Sequence, residues 1–386
     1  MKNRERKKEF NIIKFAMAAS VLFTFYNCES EIIEPQNEIT HHQRLEFEEI
    51  GGSDSGSGSV LGGNSFTSKT TWSTDFGYND NWDPGKYLRI IADVNGDGKG
   101  DIIAFGTNST YVSLSTGSGF APKKTWTTDF GYNDNWRISE HVRTVADVNG
   151  DGKGDIIAFG DNSTYVSLST GSGFAPKTRW TTDFGYNDNW RTSKHVRTVA
   201  DVNGDGKGDI IAFGNNSTYV SLSTGSGFAP KTTWTTDFGY NDNWNPDYYP
   251  RTVADVNGDG KADIVAFGTN STHVSLSTGN GFAPQTTWTT DFGYNDNWDP
   301  KYYPRTVADV NGDGKADIVA FGTNSTHVSL STGNGFAPQT TWTTDFGYND
   351  GWRISKHVRT VSDANGDGKG DVVAFGSNSV YVANSI

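Results

Sequence analysis

The chain is built around the stretch Asp93-Val94-Asn95-Gly96-Asp97-Gly98-Lys99-Gly100-Asp101. Copies of this stretch, the acidic loop, begin at Asp147, Asp201, Asp255, Asp309 and Asp363, each 54 residues after the one before. No insertion or deletion interrupts the spacing, so the repeat is a unit of architecture. Periods of roughly 20–50 residues are typical of solenoids, propellers and repeat arrays.

The acidic loop carries oxygen-bearing side chains at positions 1, 3, 5 and 9. Its glycines at positions 4 and 6 let the backbone curl, so that these side chains and the carbonyl of position 7 face one point, as in the first part of an EF-hand loop. The bidentate glutamate of an EF-hand is missing, and residues 102–105 predict a buried strand in place of a helix. An all-oxygen ligand set indicates calcium. A turn of Gly, Asp and Asn that binds nothing is the alternative.

We therefore predict up to six bound Ca²⁺ ions, with each lysine contributing its carbonyl oxygen. The predicted ligands are Asp93, Asn95, Asp97, Lys99, Asp101, Asp147, Asn149, Asp151, Lys153, Asp155, Asp201, Asn203, Asp205, Lys207, Asp209, Asp255, Asn257, Asp259, Lys261, Asp263, Asp309, Asn311, Asp313, Lys315, Asp317, Asp363, Asn365, Asp367, Lys369 and Asp371.

Composition and charge narrow the class of protein. Gly, Thr, Ser, Asn and aromatic residues are abundant and helix formers are scarce, which favours an all-β fold. The formal net charge of −13 argues against nucleic acid or anionic membranes as partners. The acidic loops hold 18 of the 45 acidic residues, so metal sites explain much of the acidity.

The N-terminal segment predicts export. Residues 1–27 have a basic start and then a short apolar run, which is typical of a secretory signal peptide and too short for a membrane span. Cys28 is the only cysteine, so no intramolecular disulfide can form. Its position after the apolar run resembles a bacterial lipobox, although Phe25-Tyr26-Asn27 departs from the usual small residues. The prediction is a secreted or cell-surface lipoprotein of a bacterium, with membrane contact only through a lipid anchor at Cys28; secretion without lipid is the alternative.

Residues 28–65 carry clustered acidic residues followed by a Gly/Ser-rich run. They lack the repeat and the apolar content to pack, so they predict a flexible tether. The folded domain is expected to span residues 66–386.

One repeat predicts four short antiparallel strands. In the second copy, residues 143–146 form the first strand, and residues 156–159 after the acidic loop form a second strand with an almost continuous apolar run. Residues 165–169 alternate as a third strand, and residues 178–182 complete the set. Four such strands in each repeat predict one blade of a β-propeller.

The two ends of the array predict how the ring closes. The last copy stops after its third strand, whereas residues 68–73 form an unassigned fourth strand before the first copy. Pairing the two gives a six-bladed, all-β propeller in which the N-terminal strand completes the last blade, so no open edge remains.

A second repeated feature, the aromatic loop, lies between consecutive blades. Its first copy is Asp75-Phe76-Gly77-Tyr78-Asn79-Asp80-Asn81-Trp82. This connection is expected on the propeller face opposite the acidic loops. Aromatic rings beside carboxylates and amides suit a sugar, which stacks its apolar face on a ring and exchanges hydrogen bonds through its hydroxyls. The candidate carbohydrate-binding residues are Tyr78, Asp80, Trp82, Tyr132, Asp134, Trp136, Tyr186, Asp188, Trp190, Tyr240, Asp242, Trp244, Tyr294, Asp296, Trp298, Tyr348, Asp350 and Trp352.

Structural interpretations of the same residues stay open. The loop tryptophans suit packing as well as ligand stacking, and the strand tryptophans, such as Trp126, favour packing between blades. An arginine equivalent to Arg89 occurs in every blade, and we expect it to form a structural salt bridge more readily than a ligand contact. Behind the loops, the segments fall into an Arg-x-Ser-x-His type and a Pro/Tyr type, which suggests two ligand preferences or affinities if the loops bind ligands. The histidines recur with the repeats, so no unique histidine cluster is expected.

The motif Asp-x-Asn-Gly-Asp-Gly-Lys-x-Asp followed by Ile-Ile-Ala-Phe-Gly resembles the FG-GAP or VCBS repeat, a calcium-bearing blade motif. The pairing of Gly-Phe-Ala-Pro before a Trp strand with Asp-Phe-Gly before a loop ending in Trp is similar to the Psathyrella velutina lectin type of propeller. That resemblance implies binding of terminal N-acetylglucosamine or related acidic sugars between neighbouring blades. Propellers of that type have seven blades, whereas this sequence supplies six.

The leading hypothesis is a calcium-stabilised, multivalent carbohydrate-binding protein with glycans or glycoconjugates as partners. The alternative is a protein-binding adhesin or scaffold without sugar affinity. A polysaccharide-cleaving enzyme is disfavoured, because near-identical repeats leave no blade with a distinctive acid/base pair.

Overall fold

The computed structural model describes residues 64–386. The predicted signal peptide, Cys28 and the tether up to residue 63 lie outside this range. The described residues form six four-stranded antiparallel sheets, which are the blades of a β-propeller. The predicted fold class is confirmed. Within residues 64–386, no helix is long and apolar enough to cross a membrane.

The strands are short because turns interrupt each repeat at fixed points. Blade 1 has β2 (Arg89–Ala92), β3 (Asp101–Phe105), β4 (Thr110–Ser113) and β5 (Lys124–Thr127), and blade 2 has β6 (Val142–Ala146), β7 (Asp155–Phe159), β8 (Thr164–Ser167) and β9 (Thr178–Thr181). Blade 3 has β10 (Arg197–Ala200), β11 (Asp209–Phe213), β12 (Thr218–Ser221) and β13 (Thr232–Thr235), and blade 4 has β14 (Arg251–Ala254), β15 (Asp263–Phe267), β16 (Thr272–Ser275) and β17 (Thr286–Thr289). Blade 5 has β18 (Arg305–Ala308), β19 (Asp317–Phe321), β20 (Thr326–Ser329) and β21 (Thr340–Thr343), and blade 6 has β22 (Val358–Ser362), β23 (Asp371–Phe375), β24 (Val380–Ala383) and the N-terminal strand β1 (Thr70–Ser73).

The ring closes through the N-terminal strand, as predicted. β1 lies outermost in blade 6 and pairs antiparallel with β24, with Thr70 opposite Val382. Beyond β1, Phe66 forms a bridge with Ser385, and its N–H donates to the carbonyl of Trp342 in blade 5 at 3.2 Å. The first strands of the blades contact one another in an unbroken circle around the axis.

The core is divided among the blade interfaces. Each of six buried apolar clusters combines residues from two neighbouring blades. In the interface of blades 1 and 2, Ile103 and Phe105 of β3 pack against Ile156 and Ala158 of β7. The second strands are buried along their whole length because each has a neighbouring blade on both faces. A single blade could not bury both faces of its own sheet, so the ring is the folding unit.

The two repeated loops lie at opposite ends of the blades, as predicted. The aromatic loop contacts the turn between the second and third strands, where Tyr132 N donates to Gly106 O at 2.9 Å. The acidic loop joins the first and second strands and contacts the turn after the third strand, where Ser115 N donates to Asp101 Oδ1 at 2.7 Å. We call these ends the aromatic face and the acidic face.

Closure by the N-terminal strand predicts that Phe66→Ala and Phe336→Ala destabilise the protein alike, by about 3–5 kcal/mol each. The two rings occupy equivalent buried sites, 5.1 Å from Trp342 and 5.3 Å from Trp288, but Phe336 packs in the interface of blades 4 and 5, whereas Phe66 packs in that of blades 5 and 6. Guanidinium unfolding followed by tryptophan fluorescence measures both. A Phe66→Ala variant as stable as the parent, beside a destabilised Phe336→Ala variant, would contradict the closure.

Candidate functional site

The second residue of each aromatic loop is a phenylalanine in a left-handed backbone conformation. The six residues Phe76, Phe130, Phe184, Phe238, Phe292 and Phe346 have φ values between 62° and 67°. Such a conformation is an outlier for a bulky side chain and persists only where the surroundings enforce it. Each of these rings is fully buried and packs against the tryptophan that ends its loop, as Phe76 does against Trp82 at 5.3 Å between centroids. The loop is therefore held in one shape by packing.

The recurring arginine holds this loop and forms no salt bridge. Arg89 Nη1 donates to the carbonyl of Phe76 at 2.8 Å, and its guanidinium lies 5.1 Å from the ring centroid of Phe375 in the preceding blade. The same bond recurs in the other five blades. Within residues 64–386 none of these arginines has a carboxylate partner, so the expected salt bridge is wrong. Burial lowers the pKa of Arg89 to about 9.

The candidate sugar-binding residues differ in accessibility. The loop tyrosines are half-buried and the loop aspartates are exposed, whereas the loop tryptophans are buried, with exposed fractions between 6% and 8%. A ring so covered cannot present a whole face to a ligand. The loop tryptophans therefore serve mainly in packing, and Tyr78 and Asp80 with their equivalents form the accessible set. Their contact with a sugar stays a prediction.

Asp80 also shapes its loop. Its Oδ2 accepts a hydrogen bond from Gly77 N at 3.1 Å, which caps the 3-10 turn Tyr78–Asp80. The same bond occurs in the loops of Asp134, Asp242, Asp296 and Asp350. The remaining lone pairs of this exposed carboxylate are the ones available to a ligand.

An asparagine pair fixes each aromatic loop and was missed in the sequence. Asn133 Nδ2 donates to Asn108 Oδ1 at 2.7 Å, and Asn133 N donates to the carbonyl of Thr107 at 2.8 Å. The side-chain bond recurs in every blade. The common period of both asparagines was the available signal, although period alone does not specify contact.

The two segment types build different surroundings for the loop tyrosine. In the Arg-x-Ser-x-His type, the first arginine stacks on the tyrosine of its own loop, with guanidinium-to-centroid distances of 3.7 Å for Arg137 on Tyr132, 3.9 Å for Arg191 on Tyr186 and 3.5 Å for Arg353 on Tyr348. The guanidinium covers one face of the ring. In the other loops Asp83, Asn245 or Asp299 follows the tryptophan, and the face stays free of this arginine.

One cluster of titratable side chains is unique to blade 2, and it contains a single histidine. Ligand-type atoms of Glu140, His141 and Asp161 lie within 4.8 Å of one another, the only such group of three among residues 64–386. His141 Nδ1 accepts from Arg137 N at 3.2 Å, so Nε2 carries the hydrogen and donates to Asp161 Oδ1 at 3.1 Å. With both ring nitrogens engaged, His141 presents no free lone pair to a metal. The cluster reflects substitutions at Glu140 and Asp161 that the spacing of the histidines did not reveal.

The acidic loop folds around its first aspartate. Asp93 Oδ1 accepts from Gly96 N at 2.6 Å, and Asp93 Oδ2 accepts from Gly98 N at 2.7 Å. Gly96 and Gly98 adopt φ values of 80° and 84°, which explains the need for glycine at both positions. Asp97, exposed at the loop tip, pairs with Lys99 Nζ at 3.0 Å. Asp101 is fully buried, and burial raises its pKa to about 7 against the effect of hydrogen bonds from Ser115 N and Val94 N.

These observations test the predicted metal ligands. The chemistry of the donor set fits a hard cation, since it consists of carboxylate, amide and carbonyl oxygens with spare lone pairs. A cation beside buried Asp101 would also relieve the burial of its charge. The ligand-type atoms of the three aspartates in a loop are farther apart than those of Glu140, His141 and Asp161. Asp97 is paired with Lys99 and would have to leave this partner to bind an ion. The predicted calcium ligands therefore remain a prediction.

Fold and site together define a class: a six-bladed propeller of repeats, each with an acidic loop on one face and an aromatic loop on the other. The FG-GAP-like repeat model matches residues 93–156, 147–212, 201–266, 255–319 and 309–374. The chain belongs to the FG-GAP-like repeat family.

Solved structures extend this comparison. An Agrocybe aegerita lectin, described as specifically recognising non-reducing terminal N-acetylglucosamine, is 38% identical with a TM-score of 0.66, and the match covers 78% of this chain and 77% of that chain. The Photorhabdus luminescens Tc holotoxin pore is 16% identical with a TM-score of 0.57, over 83% of this chain and 14% of that chain, and shows a shared fold alone. No curated protein matches significantly.

The close approach of the aromatic loop to its supporting turn predicts that Gly131→Ala destabilises the protein by about 1–3 kcal/mol. A Cβ at Gly131 would lie 2.8 Å from the carbonyl oxygen of Thr107. Gly173→Ala is the matched control, because its nearest atom is 3.6 Å away. Denaturant unfolding compares the two variants. Equal stability of Gly131→Ala and the parent would refute this account of the loop.

Proposed function

We propose that the protein is a multivalent carbohydrate-binding protein, a lectin for terminal N-acetylglucosamine or related glycans, and that it is not an enzyme. The observation that carries the proposal is 38% identity over most of the chain to a lectin described as recognising that sugar. The aromatic face supports it, since every blade boundary presents a half-buried tyrosine and an exposed aspartate. Rings and carboxylates of this kind are what sugars use for stacking and hydrogen bonding.

Multivalency follows from the repeat. The aromatic loop occurs six times on one face, so several weak contacts can act together on a glycan-coated surface. The proposed location is the outside of a bacterial cell, free or held by a lipid at Cys28. The alternative function is a protein-binding adhesin or scaffold without sugar affinity.

The non-enzymatic part of the proposal rests on the sameness of the blades. The one cluster that breaks the repeat, around His141, has the imidazole fixed between Arg137 N and Asp161. The imidazole supports the loop there, as His195 does in the next blade between Arg191 N and Asn215.

Binding to glycans is the direct test. On a glycan array, the folded protein should bind structures that end in N-acetylglucosamine, and calorimetry with the free sugar should give weak affinity at several sites. Release of reducing ends from a polysaccharide panel tests for an enzyme at the same time. A folded protein that binds no sugar but captures a protein partner would replace this proposal with the adhesin alternative.

Calcium is proposed as a stabiliser of the acidic face. It binds the folded loops better than the unfolded chain, so EDTA should lower the melting temperature, with about 2.7 kcal/mol per site lost when free calcium had exceeded Kd a hundredfold. Asp97→Ala should have a smaller effect than EDTA, since five loops remain. Asp161→Ala, which changes an exposed carboxylate outside the loops, is the control and should keep the full response to EDTA. An unchanged melting temperature with no metal in elemental analysis would exclude calcium.

A further inference from the structure

One position in the segment after each aromatic loop varies while the tyrosine that it contacts does not. The residues at this position are Lys86, Glu140, Lys194, Tyr248, Tyr302 and Lys356. Three of them place an ammonium group over the tyrosine of the next loop, with Lys86 Nζ 4.3 Å from the centroid of Tyr132. Tyr248 and Tyr302 instead contact the next tyrosine with a ring. The chemistry beside the invariant tyrosine therefore changes from blade to blade.

The two tyrosines at the variable position are unusually exposed. Tyr248 is 39% and Tyr302 is 45% exposed, and apart from Ile386 they are the only exposed large hydrophobic side chains in residues 64–386. Tyr248 lies 5.3 Å from Tyr294 and Tyr302 lies 5.4 Å from Tyr348, both with rings nearly perpendicular at 88°. In an edge-to-face pair the ring that contributes its edge keeps its faces clear of its partner.

The two tyrosine pairs belong to consecutive blades and adjoin each other. Lys301, next to Tyr302 in the chain, places its Nζ 5.9 Å from the ring centroid of Tyr248. Each pair has a third ring beside it. The ring centroid of Tyr249 lies 6.3 Å from that of Tyr294, and the ring centroid of Tyr303 lies 6.2 Å from that of Tyr348. Tyr248, Tyr249, Tyr294, Tyr302, Tyr303 and Tyr348 together form a band that we call the tyrosine ridge. It spans two blade boundaries on the aromatic face.

We propose that the tyrosine ridge binds a neutral glycan chain of several sugars, laid across two adjacent blade boundaries; this rests on the proposed function, since it assigns a ligand class to part of the same face. Sugars of one chain stack on the rings of Tyr248 and Tyr302, and the polar rim of Asp247, Asp299 and Lys301 meets their hydroxyls. The variable position carries no charge here, whereas it is Lys or Glu at the other boundaries. The ridge therefore selects for chain length.

Calorimetry with N-acetylglucosamine and its β1,4-linked tetramer tests the ridge. The parent protein should bind the tetramer about tenfold more tightly than the single sugar, as expected from two added aromatic contacts. Tyr248→Ala combined with Tyr302→Ala should abolish this gain and leave the affinity for the single sugar almost unchanged. Tyr248→Phe with Tyr302→Phe should keep it, because the rings remain.

The matched control is Lys194→Ala combined with Lys356→Ala, which alters the same position in two other blades and should preserve the gain with chain length. Equal affinity of the parent for sugar and tetramer, or a gain that survives loss of both tyrosines, would overturn the ridge while leaving the lectin proposal intact. Binding of neither sugar nor tetramer by folded protein, with a protein partner captured through Tyr248 and Tyr302, would overturn both.

Discussion

A backbone hydrogen bond that occurs at every blade boundary links each acidic loop to the next and sets the geometry of the whole ring. The N–H of position 8 in one loop donates to the carbonyl of position 1 in the loop of the preceding blade, as Gly154 N does to Asp93 O at 2.8 Å. A serine hydroxyl strengthens the contact, since Ser169 Oγ donates to Val94 O at 2.5 Å. Both bonds recur at the closing boundary, where Gly100 N donates to Asp363 O and Ser115 Oγ donates to Ala364 O. Position 8 is small in every loop, with glycine in four loops and alanine in two, Ala262 and Ala316, and both alanines make the same bond. Changing the conformation of one loop therefore changes its neighbour.

The aromatic face combines a scaffold that is the same in every blade with surface residues that vary. Its scaffold repeats without change: a left-handed phenylalanine, an arginine on that carbonyl, an asparagine pair and a buried tryptophan. The accessible residues above the scaffold vary, as Lys86, Glu140 and Tyr248 show. Rigid support beneath a variable surface allows ligand preference to change without loss of stability. The strain at Phe76 is consistent with this arrangement, since strained backbone is often retained where it positions a binding surface.

The fold could be predicted in detail because the same pattern of strands and loops occurs in every repeat. The period, the strand pattern of residues 143–182 and the unpaired strand at residues 68–73 together predicted six blades and their closure, with strand ends displaced by one or two residues. Side-chain partners were less predictable. Arg89 was expected to meet a carboxylate, but its partner is a backbone carbonyl, which sequence pattern cannot reveal. The role of Asn133 and the cluster at His141 were hidden because both depend on contacts across 20 to 25 residues between loops.

The closing strand β1 also determines the face at which the chain enters the ring. β1 runs from the acidic face toward the aromatic loop that follows it, so Ser65, which is hydrogen-bonded to Ile386, lies at the acidic end of the outermost strand. The chain thus enters the ring on the outer rim beside the acidic loops. All six aromatic loops lie at the other end of the blades. The point at which the chain enters the ring is therefore separated from the aromatic face by the length of the outermost strand.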